Sequence, residues 1–374
     1  MIPFNIPTNI GTEIKRINDC VERNSLSGGG IYSDLCTQEI LKILNSRSNV
    51  FMTPSCTSSL EAASLILGLM PGDEIIMPSF TFVTTATSFS NRGIKVKFID
   101  IRPDTLNMDE TKIEDAITSK TRAIVPVHYA GVACEMDEIL KIARDNNLFV
   151  IEDAAQSLMS KYKKKPLGSL GDISAFSFHD TKNIHCGEGG TLIINQEALF
   201  DRSHCVVNKG TNRKEFLEGR TEKYTWITSG SSYSLGELAC AYLLDQLHFA
   251  QNITQKRLLL WNRYCENLKD VSNIELPNVP DHCDHNGHIF YIKLENSKER
   301  KRVMFELKKE GVSSCFHFVP LHSAPAGKVF GEFIGDDVYT TSESSRTLRL
   351  PIFHQMTLGQ VDKVCELIRG LCDI

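Results

Sequence analysis

At 374 residues the chain is long enough for a sizeable core, most simply as two domains. With 41% hydrophobic and 23% charged residues it carries no mark of disorder, and 41 Lys+Arg against 46 Asp+Glu leave a net charge of −5 without a basic run, which argues against nucleic acid or an anionic membrane as a partner. No apolar stretch approaches the roughly 20 residues that span a bilayer, and Met1-Ile2-Pro3-Phe4-Asn5 shows no charged-then-apolar leader, so the expected location is the cytoplasm.

Residues 1 to 30 read as an arm and a first helix closing in Ser27-Gly28-Gly29-Gly30, where glycines allow either a close approach to a ligand or a simple turn. A helical pattern follows over 33–44. Short apolar runs then recur at 49–53, 74–77, 95–99, 123–127, 149–151, 175–178 and 191–194, with helix-like segments such as 58–69, 109–117 and 136–146 between most of them. That alternation predicts an α/β fold with a mainly parallel sheet covered on both faces. Past Tyr233 the pattern becomes one long helix, about 236–268, bridging to a smaller α+β unit with a strand at 289–294, a helix at 298–310, the segment 314–319 and a final helix at 358–371. The expected division is a large N-terminal domain with its arm, 1–255, and a small C-terminal domain, 256–374.

Twelve cysteines are scattered singly with no C-x-x-C, which predicts reduced thiols rather than a zinc or redox motif. His282-Cys283-Asp284-His285-Asn286-Gly287-His288 has metal-like residue types, but it follows a turn-rich stretch without helical spacing and reads better as a polar loop; no metal is expected.

The chemistry concentrates around residues 174–190. An apolar strand runs into a polar turn carrying Lys182, followed by Gly187-Glu188-Gly189-Gly190 and another apolar run. A lysine held near a carbonyl and partly desolvated can form a Schiff base, although a turn lysine is more often a solvated charge. The strand Phe149-Val150-Ile151-Glu152-Asp153 ends on an acid, and in a parallel sheet both strand ends reach the edge where open α/β folds bind ligands. An acid for a pyridinium nitrogen beside a Schiff-base lysine is what pyridoxal phosphate (PLP) requires of a protein; taken alone, an acid ending a strand is often only a helix cap. Small hydroxyl residues after the first strand, Ser55-Cys56-Thr57-Ser58, begin a helix whose free N–H groups suit a phosphate, or are capped by those hydroxyls. Phe82, after the second strand, is either a stacking ring or core; Gln156 can donate a hydrogen bond, and Ser177 and His179 flank the lysine turn.

Ser177-Phe178-His179-Asp180-Thr181-Lys182-Asn183, Glu188-Gly189-Gly190 and Glu152-Asp153-Ala154-Ala155-Gln156-Ser157 resemble the DegT/StrS family of PLP-dependent sugar-nucleotide aminotransferases, and the likeness extends over essentially the whole chain. It implies the aspartate-aminotransferase-like (type I) PLP fold, Lys182 as the lysine carrying the cofactor and Asp153 as partner of the ring nitrogen. It further implies Phe82 stacked on the ring, Gln156 near the ring hydroxyl, and Thr57, Ser58 and Ser177 on the phosphate. Family members are usually homodimers with shared sites, in which the Asn of a Tyr-Asn pair reaches the neighbour's phosphate; here the pair reads Tyr233-Ser234, which leaves Ser234 as the candidate. Cys56 stands where relatives commonly have Gly. Thr53-Pro54-Ser55-Cys56-Thr57, Tyr339-Thr340-Thr341 and the run 126–137 are most similar to the branch that aminates C4 of TDP-4-keto-6-deoxyglucose for enterobacterial common antigen, with L-glutamate as donor. Candidate substrate contacts are His128, Tyr129 and His179 in the large domain and His317 and His322 in the small one, the alternative for 317–322 being a packed domain contact; Lys209, Arg213 and Arg220 are candidate cations for the nucleotide phosphates. The competing readings are an aminotransferase for a GDP-linked or 3-keto sugar, and a PLP-binding regulator without catalysis. A related dehydrating class has histidine in place of the lysine, which Lys182 opposes.

Overall fold

The structure is a computed structural model and describes residues 1–372; residues 373 and 374, the end of the expected C-terminal domain, lie outside the described residues. After an extended arm come α1 (Glu13–Glu22), α2 (Ile31–Leu44), β1 (Asn49–Thr53), α3 (Cys56–Ile66), β2 (Glu74–Pro78), α4 (Val83–Ser90) and β3 (Lys95–Ile99). Then follow β4 (Thr121–Ile124), α5 (Met136–Asp145), β5 (Phe149–Asp153), the two-residue strands β6 (Lys161–Tyr162) and β7 (Lys165–Pro166), β8 (Ile173–Ser177), β9 (Gly190–Ile194), α6 (Phe200–Val207) and α7 (Arg213–Leu217). Helices α8 (Glu237–His248) and α9 (Ala250–Leu268) lead to β10 (Cys283–Asp284), β11 (Phe290–Lys293), α10 (Ser297–Lys309) and β12 (Cys315–Phe316). The chain closes with α11 (Gly327–Phe330), β13 (Gly331–Phe333), α12 (Thr340–Arg346), β14 (Thr347–Leu350) and α13 (Leu358–Cys372).

Eight strands form one sheet in the order β1-β9-β8-β5-β4-β2-β3-β13. From β8 across to β13 every neighbouring pair is parallel, while β9 is antiparallel to both β1 and β8. Successive residues of a strand face opposite sides. Accordingly Ile75 and Met77 pack with Leu60, Ile66 and Phe89 of α3 and α4, whereas Ile76 packs with Met136 and Ile139 of α5. Such double-sided burial is why these strands are nearly all apolar. The C-terminal residues build a second core around the antiparallel strands β11-β14-β12, with Leu260 and Tyr264 of α9, Val303 and Leu307 of α10 and Val361 and Ile368 of α13.

Two expected helices take other forms. The 236–268 helix is interrupted at Phe249 (φ −96°, ψ 6°), because its halves serve different cores: Leu243 and Leu247 pack beneath the large sheet, Leu260 and Tyr264 in the second core. Residues 109–117 form two 3₁₀ turns, Glu110–Lys112 and Glu114–Ala116, the first capped by the Asp109 side chain. Beyond residue 255 the chain also returns to the large sheet, where β13 pairs with β3.

The ends of β1 and β9 bring the start of α3 against Gly190, where an added Cβ would stand 2.3 Å from Ser55 C and 2.4 Å from Cys56 N. Gly190→Ala should therefore push the start of α3 off the sheet and cost about 1–3 kcal/mol in urea denaturation. A change within ~0.5 kcal/mol, the range of an ordinary surface substitution, would contradict this close packing.

Candidate active site

A cavity of about 530 Å³, within the range of small-molecule sites, opens at the C-terminal ends of β1, β2, β5 and β8 and is closed on the other side by residues of α9 and β14. Parallel pairing of β5 with β8 sets Asp153 opposite Ala175, so the acid and the Lys182 turn leave the sheet side by side. Asp153 is buried, and its carboxylate is aimed by neighbours: Thr85 donates to Oδ2 at 2.7 Å, Thr81 lies 2.8 Å from the Thr85 hydroxyl, and the Ala155 N–H reaches Oδ1 at 3.2 Å. Glu152 points to the other face. There it accepts from the N–H groups of Gly168, Leu170 and Gly171 and pairs with His128 Nε2 at 3.0 Å. Burial works against its charge, but His128 and these N–H groups outweigh that and hold its pKa below the ordinary glutamate value.

Lys182 lines the cavity, and its amine makes no hydrogen bond or ion pair among the described residues. Burial lowers its pKa and Arg349 adds to that, against the opposing pull of Cys56 and Asp153. At the start of α3, Ser55 Oγ accepts the Ser58 N–H at 3.0 Å, so the N–H groups of Cys56 and Thr57 are the ones left free at the cavity. Phe82, 56% exposed, offers an uncovered ring on the wall. Gln156 Oε1 accepts the Ala130 N–H at 2.7 Å, which fixes the amide and leaves Nε2 without a partner among the described residues. Ser177 and the half-exposed His179 complete the lysine side; His179 Nδ1 lies 2.9 Å from Thr181 Oγ1.

Several expected contacts are placed elsewhere. His128 is wholly buried and committed to Glu152 and the Cys134 N–H, so it steadies a turn instead of facing a ligand. Tyr129 is buried against Phe80, its hydroxyl 3.2 Å from His317 Nδ1. His322 bridges Ser79 Oγ at 2.7 Å and Asp337 Oδ2 at 3.2 Å, tying the 320s loop to the sheet. Ser58 is taken up by the helix cap, and Ser234 is exposed outside the cavity of its own chain. Lys209, Arg213 and Arg220 are exposed and do not line the cavity. Of the expected small-domain residues His317 does line it, together with Arg257, Arg349 and His288, which sequence reasoning missed as site residues. In the 282–288 loop each histidine has a different partner: His282 pairs with Glu135, His285 packs on Trp261 and His288 bonds Asn183.

Comparison with known proteins decides what such a cavity belongs to. The model of the DegT/DnrJ/EryC1/StrS aminotransferase family matches residues 7–369. The chain belongs to this family. It is 32% identical over 378 aligned residues to the spore coat polysaccharide biosynthesis protein SpsC of Bacillus subtilis, covering 99% of this chain and 97% of that one. It is 35% identical over 324 residues to an uncharacterized protein of Methanocaldococcus jannaschii, covering 85% and 84%. The structure of DesI solved with its TDP-sugar product superposes with a TM-score of 0.89 at 26% identity, over 98% of this chain and 91% of that one. The protein is thus a PLP-dependent aminotransferase with the aminotransferase PLP fold.

The aminotransferase's own residues suit PLP. A lysine whose amine has no partner among the described residues, a buried carboxylate held in one orientation, an uncovered aromatic ring and free N–H groups at a helix start surround one cavity of the right size. Cys56 lies among them, its thiol pushed well up by burial and by Asp153, and so held as a neutral group. Capture of PLP by the apo-protein needs the uncharged amine of Lys182. Because burial lowers that pKa, the midpoint of the pH–rate profile for capture should fall below the ordinary lysine value of 10.5. A midpoint at or above that value would contradict the buried setting of the amine.

Proposed function

We propose that this aminotransferase moves an amino group from L-glutamate to C4 of TDP-4-keto-6-deoxyglucose, giving TDP-4-amino-4,6-dideoxygalactose and 2-oxoglutarate, in the synthesis of a surface polysaccharide of the common-antigen type. The observation that carries the transamination is the convergence of Lys182, Asp153 and Phe82 with the start of α3 on one cavity. The sugar is supported by the branch motifs in 53–57, 126–137 and 339–341, by the TDP-sugar product named for DesI, and by the polysaccharide role named for SpsC.

PLP, when bound, supplies an electron sink for the bond broken at the donor's Cα. The chain supplies the rest. Asp153, held by Thr85 and the Ala155 N–H, keeps a proton on the ring nitrogen, and Phe82 covers one ring face. The free N–H groups of Cys56 and Thr57, with the Ser177 hydroxyl, hold the phosphate, and Gln156 presents its amide to the ring hydroxyl. Lys182, poised as a weakly basic amine, takes the proton from the donor's Cα and returns it on the other side of the exchange. Exposed Ser234 completes the phosphate site of a second subunit in a homodimer, and the exposed apolar residues Trp226, Ile227 and Leu217 lie in the neighbouring segment that such a dimer would cover.

Incubating the PLP-loaded protein with L-glutamate and TDP-4-keto-6-deoxyglucose should give a sugar nucleotide of the mass of the 4-amino product, with an axial C4 amine by NMR. An equatorial amine would keep the chemistry and refute the galacto assignment. Turnover only with a GDP-linked or 3-keto sugar would move the enzyme to another branch, and PLP binding with no reaction of any donor would make it a regulator.

A further inference from the structure

The last histidine of the 282–288 loop, His288, stands in the wall of the active-site cavity, two residues before β11 begins. Its backbone is held on both sides: the N–H donates to Asn286 Oδ1 at 3.0 Å, and the carbonyl accepts Arg257 Nη2 at 2.7 Å. Asn286 is fixed in turn, donating to the carbonyls of Gln156 and Leu158 at 2.8 and 2.9 Å. The imidazole is thus pinned to the loop that follows β5, the strand that carries Asp153.

The hydrogen bonds also decide where its proton sits. His288 Nδ1 lies 2.9 Å from Asn183 Oδ1. Asn183 Nδ2 is spent on the Asn286 carbonyl at 3.1 Å, so Oδ1 faces the imidazole as an acceptor and Nδ1 carries the proton. Burial and the charges of Lys182, Arg257 and Arg349 hold the pKa of this ring well below the ordinary histidine value, which keeps it neutral. A neutral imidazole protonated on Nδ1 has a bare Nε2. Among the described residues that nitrogen has no hydrogen-bond partner.

A bare acceptor is what this wall needs during the reaction. When Lys182 takes the proton from the donor's Cα, the C–H bond breaks, an N–H bond forms at Nζ, and the electron pair is left to the cofactor. The amine becomes an ammonium in a buried setting, within reach of the Arg349 charge. Asp153 is held by Thr85 and the Ala155 N–H and aimed at the ring nitrogen, and the other imidazole on this wall, His317, has Nε2 taken by Arg349 Nη1 at 3.2 Å. A buried cation without an acceptor is costly. We propose that His288 Nε2 accepts a hydrogen bond from the Lys182 ammonium and holds it between taking the Cα proton and returning it. His288 gains no proton, and Lys182 ends neutral once the proton is given back. Asn183 follows Lys182 directly, so the ring that receives the ammonium through Nε2 also anchors the lysine turn through Nδ1. The inference rests on the transaminase reading of the cavity and deepens it by naming what steadies the base.

The test is the first half-reaction, L-glutamate with the PLP-loaded protein and no sugar, followed by cofactor absorbance in wild type, His288→Phe, His288→Gln and His288→Asn. Phenylalanine keeps a ring and removes both nitrogens; glutamine sets an amide oxygen where Nε2 stands, and asparagine an amide N–H where Nδ1 stands. Loss of a hydrogen bond to a charged group should slow the half-reaction at saturating glutamate about 10- to 100-fold in His288→Phe. Half-saturating glutamate and PLP content should stay unchanged. His288→Gln should recover part of the rate and His288→Asn none of it. Nitrogen-15 NMR of the histidines supplies a readout free of turnover. The resonances lost in His288→Phe should include an unprotonated Nε2, and that signal should move when PLP is replaced by pyridoxamine phosphate, which leaves Lys182 free. Recovery in His288→Asn but not in His288→Gln would overturn the proposal and reduce His288 to a prop for Asn183; so would an unchanged rate in His288→Phe, or a proton on Nε2. A wild type that leaves glutamate unreacted would instead remove the transaminase reading, and the proposal with it.

Discussion

Two adjacent carboxylates at the end of β5 set the site. Because consecutive strand residues face opposite ways, Glu152 and Asp153 are directed to different sides of the sheet, and both are buried. A buried carboxylate needs donors, and each finds a different set. Glu152 gathers three backbone N–H groups and His128, which fixes the turn from Gly168 to Gly171 that launches β8 toward Lys182. Asp153 takes Thr85 and the Ala155 N–H, which leaves its carboxylate aimed into the cavity. One strand end thus orients the acid and, through the neighbouring strand, positions the lysine turn.

Much of this was legible in the sequence because sheet edges concentrate function. Short, continuous apolar runs marked seven strands of the large sheet at nearly their observed places, and Asp153, Phe82, Thr57 and Lys182 each lie at the end of such a strand or within 5 residues beyond it. The eighth strand, β13, is three residues long and pairs from far along the chain, so no local pattern announced it. The histidines were harder for a related reason. After a strand end, an imidazole that meets a ligand and one that satisfies a buried acid look the same in sequence; the acid next to Asp153 decides it for His128, and Ser79 with Asp337 decides it for His322.

Arg349 and Arg257 were missed because tertiary packing alone brings the second core's edge to the cavity. A signal did exist. In Leu348-Arg349-Leu350 the leucines are buried in the second core, and period-two alternation turns the arginine to the opposite face of β14. A charge there needs water or a partner, and the structure gives it neither carboxylate nor solvent at Nε. The single helix expected over 236–268 failed for the converse reason: each half is amphipathic, but the two halves serve different cores, and only the break at Phe249 lets both be buried.

The central claim is that Lys182 and Asp153 act on one PLP ring from two neighbouring strand ends. A crystal structure of the PLP-loaded protein tests it most directly. The account predicts density continuous from Lys182 Nζ to the cofactor, the pyridine nitrogen within hydrogen-bond distance of Asp153, the ring against Phe82 and the phosphate at the start of α3. Cofactor attached to any other lysine, or a ring nitrogen facing away from Asp153, would contradict it.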